Sequence, residues 1–197
     1  MIDALREALL ALRQRDIEMR SVLIEAGALQ AGYDPRMEDV HRANAEALRR
    51  LIDRWGWPNE AMAGADGAES AWLVAQHAIA EPDFMRRCRA LVEAEAAAGR
   101  VPGWQHAYLD DRIRAFEGRP QRFGTQSDMT PQGPELYAVD DPARLDARRR
   151  DVGLGPIAQR LAEAATGARP TDEQYRQRQL AERAWRQRIG WLDAAGA

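Results

Sequence analysis

Apolar residues recur at intervals of three and four over helix-length stretches, and glycine or proline closes each stretch; few folds other than a helical one accept such punctuation. Residues 2–30 carry Ile2, Leu5, Leu9, Leu12, Met19 and Leu23 on one seam. "AGYDP" breaks the chain, and Asp34-Pro35 signals a second helix over 36–55. That helix has Met37, Val40, Leu48, Leu51 and Trp55 on one face and "GWP" at its end. The same reading predicts helices over 66–80, 83–98 and 103–117, the last two stopping at Gly99 and Gly118.

Residues 119–140 differ in character. Pro, Gly and polar residues surround two β-compatible runs, 121–126 and 135–139, which predict a small hairpin. Helical pattern resumes at 142–150 and 155–166. Thr171 and Gln174, behind Pro170, form a capping-box pattern that opens a last helix to 193. The expected fold is therefore mainly α, a single-domain bundle of seven to eight helices with one hairpin near 119–140. Residues 1–166 are expected to be the helical core with the hairpin as an insertion, and 167–197 a capping or partner-binding helix that serves as a cover or a homodimer arm.

A chain of 197 residues buries roughly 70% of its unfolded surface, enough for a core without staples. The single Cys88 excludes an internal disulfide framework and suits a reducing compartment. All 28 basic residues are arginine, which together with the abundant alanine is read as the mark of a GC-rich genome. The net charge of -3 is spread as interleaved signs along the helices. "ARRRD" at 147–151 is the one small basic block, so nucleic acid is not an expected partner. No run approaches 18 apolar residues and the N-terminus lacks a basic-then-apolar signal pattern. The expectation is a soluble cytoplasmic protein with no membrane partner.

Polar residues in seams that should be apolar carry the functional information. Asp16 continues the Leu5-Leu9-Leu12 spacing, with Arg20 one turn on. His41 and Asn44 interrupt the apolar face of the second helix. His77 lies opposite the Ala68-Ala71-Trp72-Ala75 face of a helix that is apolar nearly all round, beside Gln76. In the fifth helix Asp111 falls within an apolar stripe and Arg112 between Tyr108 and Phe116, whereas Asp110 and Arg114 form an ordinary i,i+4 pair. Buried charge demands pairing, so one interior network of Asp16, Arg20, His41, Asn44, His77, Asp111 and Arg112 is expected.

These stretches resemble a bacterial family, domain of unknown function 6624. The resemblance rests on "DIEMR", "VHRANAEALRRLIDRWGWP", "GADGAESAWLVAQHA", "AYLDDRIRAFEGRPQRFGTQ" and "DARRRDVGLGP", in that order over about residues 10–160. It implies a helical domain whose signature residues are Asn44, Gln76, His77, Asp111, Arg112, Gln121, Gly124, Thr125 and Gln126. Where relatives carry an acid near position 41, this chain has His41. Residues after about 166 lie outside the resemblance.

No phosphate loop, nucleophile elbow, H-E-x-x-H or paired C-x-x-C occurs. His41, His77 and His106 with Asp16 or Asp111 are candidate metal ligands, but they lack ligand spacing, so neither a metal nor another cofactor is expected. The leading expectation is a small metal-independent enzyme of acid–base chemistry, hydrolysis being one option, acting on a small-molecule or peptide substrate with anionic or amide groups. His77 and Asp111 are its catalytic pair. Arg112, Gln76, Gln121, Thr125, Gln126, Asn44, His41, Asp16 and Arg20 bind substrate. The alternative is a non-catalytic binding or adaptor protein whose polar cluster is structural.

Overall fold

The computed structural model describes residues 2–28 and 33–193. The Ile2 side chain, the expected end of the first helix at 29–30 and the Ala31-Gly32 part of the expected break lie outside them. The described residues form eight α-helices and one two-stranded antiparallel hairpin, the mainly α architecture that the punctuation predicts. They divide into two compact units, Met1–Val101 and Pro102–Ala197. The sequence reading expected one core to 166 with a separate tail. The last helix belongs to the second unit.

The first unit contains α1 (Ile2–Glu25), α2 (Pro35–Trp55), α3 (Glu60–His77) and α4 (Pro82–Ala97). Asp34 caps α2 by accepting from the Arg36 amide at 2.9 Å, with Pro35 at the first helical position. Gly56, at φ 77°, ends it. Gly64, at φ 70°, interrupts α3 after one turn, and the helix then runs on to His77 rather than to residue 80. Contacts fix the directions. Asp16 and Leu12 of α1 meet His41 and Asn44 of α2 in reversed order, so those helices are antiparallel. Arg6 and Asp16 meet Asp66 and His77 in the same order, so α1 and α3 run together. Leu9, Leu23, Leu48 and Met85 are fully buried, each stabilising by about 1.5–3 kcal/mol.

The second unit contains α5 (Gly103–Phe116), β1 (Ser127–Thr130), β2 (Gly133–Leu136), a 3₁₀ turn (Pro142–Arg144), α6 (Leu145–Asp151), α7 (Ile157–Ala164) and α8 (Asp172–Ile189). The strands pair Ser127 with Leu136 and Thr130 with Gly133. The 121–126 run, expected as a strand, is instead a loop joined to the chain by a single Gln121–Val139 bridge. The capping box of α8 forms as its sequence predicts, Gln174 N–H donating to Thr171 Oγ1 at 3.2 Å and Gln174 Oε1 accepting from Thr171 N–H at 2.9 Å. Asp128 of β1 accepts from Arg178 at 2.5 Å and from Gln179 at 2.6 Å. Arg186 donates to the Ala115 carbonyl at 2.9 Å, and Phe116 stacks on Trp191 at 5.3 Å. These contacts make α8 part of the unit. Among the described residues no helix is long and apolar enough to cross a membrane.

Candidate functional site

Three helices each contribute one polar side chain to a single point in the first unit. Asp16 comes from the apolar seam of α1, His41 from the second turn of α2, and His77 is the last residue of α3. Asp16 and His41 are buried, while 27% of the His77 side chain is open. Asp16 Oδ2 lies 2.6 Å from His77 Nδ1 in a hydrogen bond. The same oxygen lies 3.0 Å from His41 Nε2, an ion-pair distance, yet that nitrogen has no aligned hydrogen bond. The two rings sit 5.0 Å apart. On the far side of His41, its Nδ1 is 2.6 Å from the Tyr33 hydroxyl, with the rings stacked at 5.7 Å.

Burial would raise the Asp16 pKa, but the two imidazoles beside it, His77 hydrogen-bonded and His41 at 3.0 Å, outweigh it and hold the group well below the usual carboxylate range. Burial also raises the Tyr33 pKa, so its phenol stays neutral. Asn44, one turn after His41, donates to the Leu12 carbonyl at 2.9 Å and leaves its buried Oδ1 without a hydrogen bond. Gln76 is buried beside His77, and Arg20 is exposed one turn beyond Asp16. Asp16, His41 and His77 each offer one ligand atom, and these atoms all lie within 4.8 Å of one another. Together they make a set able to hold a proton or a cation.

The remaining expected residues form a second cluster, in the second unit. Asp111 is fully buried and accepts from the amides of Arg122 at 2.7 Å, Phe123 at 3.1 Å and Thr125 at 2.9 Å, and from the Thr125 hydroxyl at 3.0 Å. Burial raises its pKa against those hydrogen bonds. Gln121 donates to the carbonyls of Gln126 and Tyr137 and accepts from the Gln126 amide, at 2.9–3.0 Å. Arg112 donates to Gln126 Oε1 at 3.2 Å, and Gln126 donates to Thr125 Oγ1 at 3.0 Å. Arg149 donates to the Phe123 carbonyl at 2.7 Å, and Arg148 to that of Arg122 at 2.7 Å. The basic block at 147–151 is thus spent partly on holding this loop.

Of the residues expected in one interior network, Asp16, His41 and His77 meet within the first unit, and Asp111 and Arg112 belong to the second. The carboxylate on His77 is Asp16, and Asp111 uses both its oxygens on loop amides. Tyr33 was missed. Its only sequence signal is a phenol placed just before the Asp34-Pro35 helix start, where the turn folds it back over His41. Ser70 donates to the Asp66 carbonyl at 2.6 Å, a backbone contact within its own helix. Asp110 pairs with Arg114 at 2.9 Å as expected, although it is buried.

A model for a family of unknown function (DUF6624) matches residues 3–170. No curated protein and no solved structure matches the chain.

Proposed function

The chain belongs to this family of unknown function, and from its own side chains we propose that it is a small hydrolytic enzyme. Its active centre is the Asp16–His41–His77 cluster, and its substrate is a small molecule or peptide bearing anionic or amide groups. The observation that carries this reading is the 2.6 Å contact between Asp16 Oδ2 and His77 Nδ1, on an imidazole that is only part-buried. A carboxylate on Nδ1 fixes the ring and its tautomer, which makes Nε2 the nitrogen that exchanges a proton with substrate water. That water gives one proton to Nε2 as its oxygen bonds to the acyl or phosphoryl centre. The bond to the leaving group then breaks, and the leaving group takes the proton back. Arg20, exposed one turn along α1, offers a guanidinium to an anionic substrate group.

The test is a panel of small anionic esters, amides and phosphoesters, assayed with the full chain. His77→Ala and Asp16→Asn should each lower turnover by about 100-fold or more, the usual scale of positioned acid–base catalysis, with far-UV circular dichroism unchanged. Full turnover in either folded variant would overturn the assignment. The second cluster favours a structural reading instead. Asp111 is read as the pin of the 121–126 loop, because loop donors already occupy both its oxygens.

A further inference from the structure

We propose that Asp16, His41 and His77 form a binding site for one divalent transition-metal ion of the zinc class. As the cofactor of the active centre this rests on the hydrolytic reading above, but the binding itself does not. Two imidazoles and one carboxylate are a borderline nitrogen–oxygen donor set that suits such ions. Three protein ligands with an open position mark catalytic rather than structural sites.

The geometry needs little adjustment. Ligand atoms on a tetrahedral ion stand about 3.3 Å apart, given metal–nitrogen and metal–oxygen bonds of about 2 Å. Asp16 Oδ2 is already 3.0 Å from His41 Nε2 and 2.6 Å from His77 Nδ1. All three ligand atoms lie within 4.8 Å of one another.

Independent support comes from His41, which is 7% exposed and directs at Asp16 a ring nitrogen that makes no hydrogen bond. A buried nitrogen in that state is costly unless something takes its lone pair or its proton. Tyr33 supplies the outer partner that metal-bound histidines need. With His41 Nδ1–H donating to the Tyr33 oxygen at 2.6 Å, the Nε2 lone pair is left for the ion. The C-terminal end of α3, where His77 sits, adds the negative end of a helix dipole. Asp16, His41 and His77 would hold the ion, which would supply a bound water of lowered pKa, with His77 then serving as a ligand rather than as the base.

The spacing rules missed this set because each ligand comes from a different helix. A motif search sees ligands only when they are neighbours in sequence.

The test uses the untagged full chain, stripped with a chelator and titrated with Zn²⁺ and with Co²⁺ as a spectroscopic probe. One equivalent per chain should bind, with visible Co²⁺ bands of low-coordination type. Asp16→Asn, His41→Ala and His77→Ala should each weaken binding by more than about 100-fold, and Tyr33→Phe by about 10–100-fold, the usual scale for an outer partner. His106→Ala should leave it unchanged. If a ligand variant loses helical signal, Tyr33→Phe and Asp16→Asn decide the matter. No saturable binding of either ion, or binding indifferent to all the ligand variants, overturns the proposal. Full hydrolysis by the stripped chain, abolished by His77→Ala, would remove the ion from the reaction and leave the hydrolytic reading standing. One bound equivalent with no hydrolysis of any panel substrate would keep the metal site and remove the hydrolytic reading.

Discussion

Asp111 and Asp16 are both carboxylates that α-helices bury, and their neighbours give them opposite uses. Asp111 accepts from three loop amides and a hydroxyl, so removing it takes a partner from buried donors, each costing about 1–3 kcal/mol. Asp111→Ala should therefore lower stability by about 3 kcal/mol or more, read as a fall in the urea midpoint, while Zn²⁺ uptake by the stripped chain is retained. Loss of the ion with no change in midpoint would show the two roles to be wrongly divided. Cys88 is a second case where surroundings decide. Its arginine-rich flanks look activating in sequence, but burial pushes the thiol pKa up to about 12. Native protein at pH 8 should react with a thiol reagent at least about 100-fold more slowly than protein in denaturant, followed by absorbance. Rapid native labelling would mean that α4 opens far more readily than its packing indicates.

At the scale of elements, sequence was most legible where a local rule acts alone. Asp34-Pro35 starts α2, Thr171 and Gln174 box the start of α8, and Gly56 ends α2, because caps and turns are settled within a few residues. Removing the cap, Thr171→Ala, should cost about 1 kcal/mol and lower the melting temperature by a few degrees; an unchanged melt would mean that the start of α8 contributes nothing. The hairpin was placed in the right region with the wrong strand. The 121–126 run has β-compatible residues, yet Asp111 draws its amides away from any ladder, and pairing begins at Ser127 instead. The site was legible in the same partial way. Periodicity showed that Asp16, His41, His77 and Asp111 point inward, but it says nothing about which neighbour each one meets. The aspartate that contacts His77 Nδ1 is Asp16, a choice that depends on tertiary packing.

For the whole molecule, the division into Met1–Val101 and Pro102–Ala197 bears on where function resides. All three proposed ligands, together with Tyr33 and the Asn44 that braces α2 on α1, belong to the first unit. That unit has its own core, built on Leu9, Leu23, Leu48 and Met85. A segment of about 100 residues is of a size that folds independently when its core is its own. The chain 1–101 expressed alone should therefore be helical, melt cooperatively and bind one equivalent of Co²⁺ with the spectrum of the full chain. A fragment that stays unfolded even with the ion present would show that the unit needs the rest of the chain. A folded fragment that binds no Co²⁺ while the full chain does would place an essential ligand after residue 101. The matching segment 102–197 should bind none, since its aspartate at 111 is committed to the loop and its one histidine, His106, packs edge-on against Phe123 at 6.4 Å.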